Sequence, residues 1–149
     1  EAELGVSWQV VEDLALGGAL RGRHAELEQS SGDDLDGGFD AWLHARWEGI
    51  RLNVAGFAWT GALGPLAGVS LDVSRSFFGF LELGVDVSVW HFDDPDRRDL
   101  YGTVVSEALE GRVRLSPETL VLVEVQHANS RVVGNRFRGL LAIRVETWR

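Results

Sequence analysis

GFLELGVDVSVW, residues 79–90, alternates almost without a slip. Leu81, Leu83, Val85, Val87 and Val89 fall on one side, and Glu82, Gly84, Asp86, Ser88 and Trp90 on the other. A period of two is the mark of a β-strand with two unlike faces. The fold turns on what each face touches. Either the apolar side lines a core and the polar side meets water, or the apolar side meets lipid and the polar side is enclosed.

The same alternation recurs along the chain, and helical periodicity is hard to find. Nine β segments are expected near 3–11, 14–27, 39–47, 50–60, 68–75, 78–91, 102–115, 119–128 and 136–148. Residues 1–149 carry no linker and no second composition zone, so they read as a single domain. Eighteen glycines and three prolines suit a sheet with many turns. Connections are read as alternating between long, at QSSGDDLDGG (29–38), TGALGPLAG (60–68), FDDPDRRDLY (92–101) and ANSRVVGN (128–135), and short, at 48–49, 75–77 and 116–118. That rhythm describes an up-and-down antiparallel meander. Segments two to nine would make an eight-stranded barrel, with the first segment surplus or a ninth strand.

Composition excludes several classes. Without cysteine there is no disulfide, thiolate metal site or thiol nucleophile. No apolar run approaches the roughly 18–20 residues of a membrane helix. A net charge of −9 argues against nucleic acid as a partner. All 14 basic residues are arginine, which suits cations held in fixed planar pairs with carboxylates.

One face collects Leu14, Leu16, Leu20, Ile50, Leu52, Val54, Val69, Leu71, Val73, Val113, Leu115, Val121, Val123, Val125, Phe137, Leu141, Ile143 and Val145 with the 81–89 set. The other collects Arg21, Arg23, Arg51, Asp72, Glu82, Asp86, Glu110, Arg112, Arg114, Glu124, Arg138, Arg144 and Glu146, seven arginines against six acids. Near-balance is what an enclosed face needs, because an unpaired ion out of bulk water is costly. Arg51, Asp72, Glu82, Asp86, Glu110, Arg112, Arg114, Glu124, Arg138 and Arg144 are therefore the candidate lumen network, plugging a barrel whose width admits little more than side chains. Trp8, Trp42, Trp47, Trp59, Trp90 and Trp148 stand near segment ends, where amphipathic rings anchor at a bilayer interface.

With these features the chain resembles the small bacterial outer-membrane β-barrels: alternating strands, an aromatic girdle, short turns and acidic loops. The resemblance implies an all-β, antiparallel up-and-down barrel of eight or nine strands that spans a Gram-negative cell outer membrane. It also implies membrane lipid as partner and a structural or surface-interaction role rather than an enzymatic one. The C-terminal AIRVETWR departs from it: Trp148 is penultimate, and Glu146 and Arg144 are charged where such barrels alternate apolar residues back from a terminal aromatic. That departure reads as residues following Arg149, and the surplus first segment lets the chain read either as a complete barrel or as the C-terminal part of a larger transport barrel.

Two further readings stand beside this one. A soluble, periplasmic or secreted barrel could enclose an apolar ligand as lipocalins do. HANSRVVGN (127–135) resembles the His-x-Ser-Asn segment of outer-membrane lipid A deacylases, which would make His127 and Ser130 a base and nucleophile, although they stand three places apart rather than two. The acidic stretches around Asp33, Asp34, Asp36, Asp93, Asp94, Asp96 and Asp99 lack the spacing of a calcium loop, and the remaining histidines share no zinc spacing, so no metal or other cofactor is expected.

Overall fold

In the computed structural model, residues 2–25, 34–61, 64–93, 101–131 and 134–145 are described. They form nine strands: β1 (Ala2–Val11), β2 (Leu14–Ala25), β3 (Asp34–Trp47), β4 (Ile50–Thr60), β5 (Leu66–Phe77), β6 (Leu81–Asp93), β7 (Tyr101–Ser116), β8 (Thr119–Ser130) and β9 (Gly134–Val145). Each pairs antiparallel with its neighbour in sequence, giving one sheet in the order β1 to β9. The first segment is a full member, paired with β2 from Ala2↔Gly22 to Val11↔Leu14.

The sheet is open. Among the described residues β1 pairs only with β2 and β9 only with β8, and the two edges make no contact. The expected self-closed ring is therefore a nine-stranded sheet with two free edges.

Several expected boundaries move. β3 begins at Asp34, so Asp36 lies in a strand and not in a loop. Most of ANSRVVGN is strand, leaving 131–133 between β8 and β9. The turn placed at 75–77 is at 78–80, because β5 runs through Phe77. Glycine explains two of the hairpins. Glu48 and Gly49 both have positive φ (45° and 79°), as do Phe78 and Gly79 (53° and 74°). Two successive left-handed residues form the turn whose twist matches paired strands, and glycine adopts that conformation freely. Phe80 N–H closes the second turn on Phe77 C=O at 3.3 Å.

Register confirms the two faces. The rows Leu52↔Val73↔Val85↔Leu109↔Val125 and Leu71↔Val87 lie on the apolar side. The rows Asn53↔Asp72↔Asp86 and Glu82↔Arg112 lie on the polar side. Burial is inverted relative to a water-soluble fold. Among the described residues no apolar side chain is buried, whereas Asp36, Ser74, Ser106 and Ser130, all on the polar side, are 6–8% exposed.

Candidate functional site

The polar face of β4–β7 carries an ion-pair chain. Arg51 Nη2 reaches from β4 across β5 to Glu82 Oε1 on β6. The same carboxylate oxygen lies 3.6 Å from Arg112 Nη1 on β7, and Arg112 Nε donates to Glu110. Beside it, Asn53 Oδ1 accepts from His44 Nδ1 at 2.5 Å while Asn53 Nδ2 donates to Asp72 Oδ1 at 2.6 Å. Ser74 and Gly84 join Arg51, Asn53, Asp72, Glu82, Glu110 and Arg112 in lining a pocket of about 190 Å³. Nearer the β1 edge, Arg21 Nε sits 3.3 Å from Glu3 Oε2 and 3.2 Å from Asp40 Oδ2.

Of the expected network, Arg51, Glu82, Glu110 and Arg112 converge, with Asp72 joined through Asn53. Asp86 and Glu124 share the face but form no ion pair among the described residues; they oppose Asp72 and Glu110, acid against acid. Arg114 lies beyond the pocket at the turn end of β7, and Arg138 and Arg144 lie on the edge strand β9. Glu146 falls outside the described residues, and of Arg23 only the backbone is described. Alternation alone overlooked Glu3, Asp36, Asp40, Arg46 and Arg136, which the register adds to this face. The described polar-face charges are then Arg21, Arg46, Arg51, Arg112, Arg114, Arg136, Arg138 and Arg144 against Glu3, Asp36, Asp40, Asp72, Glu82, Asp86, Glu110 and Glu124. Eight cations face eight anions. Only Arg75, Asp93 and Glu107 among the described strand charges lie on the apolar side.

The aromatic assignment needs correction. Trp42, Trp59 and Trp90 are on the polar face, paired by register with Gly17, Gly38 and Gly68. The indoles of Trp42 and Trp59 rest where their glycine partners have no side chain: a Cβ on Gly17 would stand 2.5 Å from Trp42, and one on Gly38 2.5 Å from Trp59 and 2.6 Å from Ala58 C=O, while over Gly68 the ring is that of Phe57, 2.8 Å from such a Cβ. Trp59 and Trp90 stand at the loop end of the polar face and Trp42 nearer its turn end, so none of the three anchors its outside. Trp8 and Trp47 do lie outward, 66% and 68% exposed at the turn end, and Phe39, Tyr101 and Phe137 occupy the outward loop end. Trp148 lies outside the described residues. Gly38→Ala is expected to cost about 1 kcal/mol, since backbone Ala58 cannot move aside, read as a lowered denaturation midpoint with altered Trp59 fluorescence.

His127 and Ser130 do not meet. An odd separation on a strand sends them to opposite faces: His127 pairs outward with Glu107 and Phe137, and Ser130 inward with Val104 and Gly134. His127 Nδ1 is 3.8 Å from Glu107 Oε2 and its ring stacks on Phe137 at 4.5 Å. The base–nucleophile arrangement is excluded by this geometry. Among the described residues no three His, Cys, Asp or Glu side chains converge as metal ligands.

Compared with protein-family models, curated proteins and solved structures, the chain matches none. The functional reading therefore rests on the two faces alone. The polar face offers paired charges and small hydroxyls that can hold water and fix strand register. Along β3 the outward aromatics Phe39 and Trp47 bracket nine residues.

Proposed function

We propose that these nine strands are wall of a transmembrane β-barrel, with a structural or surface-interaction role in a bacterial outer membrane. The apolar face meets acyl chains, and the charge-balanced face looks into a polar lumen. The observation carrying this reading is the absence of any buried apolar side chain among the described residues, with buried polar ones in their place. Surface area supports it. A folded soluble monomer of 16.4 kDa would expose about 7,500 Å², whereas this chain exposes 11229 Å². An apolar face of that extent is stable only when something other than water covers it. A lipocalin-like carrier would need the reverse, an enclosed apolar face.

Single-tryptophan variants in vesicles containing brominated phospholipid test the reading. Fluorescence of Trp47 or Trp8 is expected to be quenched strongly, and that of Trp42 or Trp90 to be nearly untouched. Equal quenching of both sets, or a chain that stays in the aqueous phase without detergent, would rule it out.

A further inference from the structure

We propose that the gap between β9 and β1 is filled by an odd number of antiparallel strands from polypeptide outside these nine. The strand against β9 alternates apolar residues with acidic ones that face Arg136 and Arg138. This rests on the membrane-wall reading, in which an edge with unpaired N–H and C=O groups cannot face hydrocarbon.

Strand parity supplies the number. In an antiparallel meander each strand reverses the last, so β1 and β9, eight steps apart in the order, run the same way. A direct β9–β1 seam would put one parallel pair in an otherwise antiparallel sheet. Inserting an odd number of strands makes both seams antiparallel and the total even, as in bacterial single-chain barrels.

Charge supplies the chemistry. Elsewhere on the polar face Arg21, Arg51 and Arg112 each have a carboxylate within 4 Å. Arg136 and Arg138 on the edge strand have no ion pair among the described residues, and their β8 neighbours Ala128 and Gln126 are neutral. Arg138 has Glu124 on the diagonal, but the nearest β8 side chains to Arg136 on this face are neutral, so a carboxylate beside Arg136 would come from the side of β9 that carries no strand.

Exposure shows that both edges lack a neighbour. Phe137 and Leu141 on β9 are 77% and 68% exposed, and Leu4 and Val6 on β1 are 71% and 73%, against 36% for Val89 to 61% for Leu109 in mid-sheet. A flanking strand covers that difference.

The chain has no cysteine, so introduced ones report orientation cleanly. The probe is a synthetic 11-residue peptide alternating leucine and glutamate with an N-terminal cysteine, offered to the chain in phosphatidylcholine vesicles. Antiparallel pairing brings the peptide's N-terminus to the turn end of β9. With diamide as the two-electron oxidant, disulfide formation is expected to be at least tenfold faster with Val145→Cys than with Phe137→Cys, and at least tenfold slower when lysine replaces glutamate in the peptide. Arg136→Glu with Arg138→Glu should reverse that charge preference. The proposal is overturned by a disulfide within one chain between Leu4→Cys and Phe137→Cys, by a disulfide joining two copies of the chain, by equal rates at the two ends of β9, or by indifference to charge. Bromolipid quenching of Trp47 in the same vesicles separates the two failures. Lost quenching removes the membrane reading, and retained quenching without oriented, charge-selective coupling removes the seam proposal alone.

Discussion

Val123→Arg is expected to lower the stability of the vesicle-bound chain by about 2–4 kcal/mol, the cost of arginine at the midplane of a barrel's lipid face. Val123 sits halfway along β8 with its side chain outward, opposite Gly111 and Leu141, and is 46% exposed. The size of the effect discriminates between environments. Were that face in water, an arginine at so open a site would change stability by no more than about 0.5 kcal/mol. Depth provides the control. Phe137→Arg, on the same face at the loop end, should cost about 0–1 kcal/mol because the side chain reaches the interface. Denaturant titration of folded chain in vesicles, followed by tryptophan fluorescence, measures both. A Val123→Arg variant as stable as the parent would mean that lipid does not lie against β8.

The second large effect is on the opposite face. Glu82→Gln removes the acid held between Arg51 and Arg112 and leaves two guanidinium groups near each other. Breaking a fully buried pair costs about 3–5 kcal/mol. Here the arginine side chains are 42% and 45% exposed, so solvent screens much of that and about 2 kcal/mol is expected. A double-mutant cycle isolates the pair: Arg51→Met should cost less in the Glu82→Gln background than alone, by about 1 kcal/mol. Additive costs would show that the two side chains are near each other without being coupled.

Much of this was legible because a strand's side chains alternate strictly. The apolar residues of 81–89 and the acids between them lie on the faces their parity assigns, and so do Arg51, Asp72, Glu110 and Arg138. The same parity also assigns the residues that were misplaced. Trp59 is an even number of residues from Arg51, and Trp90 from Glu82, so both belong with the charges. Nearness to a segment end sets the level of a ring along the strand but not its face. His127 and Ser130 failed as a pair by the same count. Pairings across strands were out of reach, because they depend on register, which hairpin turns and bulges adjust one residue at a time. Asn53 bridging His44 and Asp72 is of that kind. The open edges were equally invisible, since alternation reports which faces a strand has and says nothing of its neighbours.

The unbroken order from β1 to β9 bears on how the molecule forms. Every partner is the next segment along the chain, and the connections at 12–13, 48–49, 78–80 and 117–118 are tight, so bringing partners together requires little chain entropy. Hairpins can therefore zip up one after another from any starting point, in the manner of local-contact folds. β1 and β9 have no such neighbour on their outer sides among the described residues, so on the seam proposal their pairing with strands outside these nine comes last.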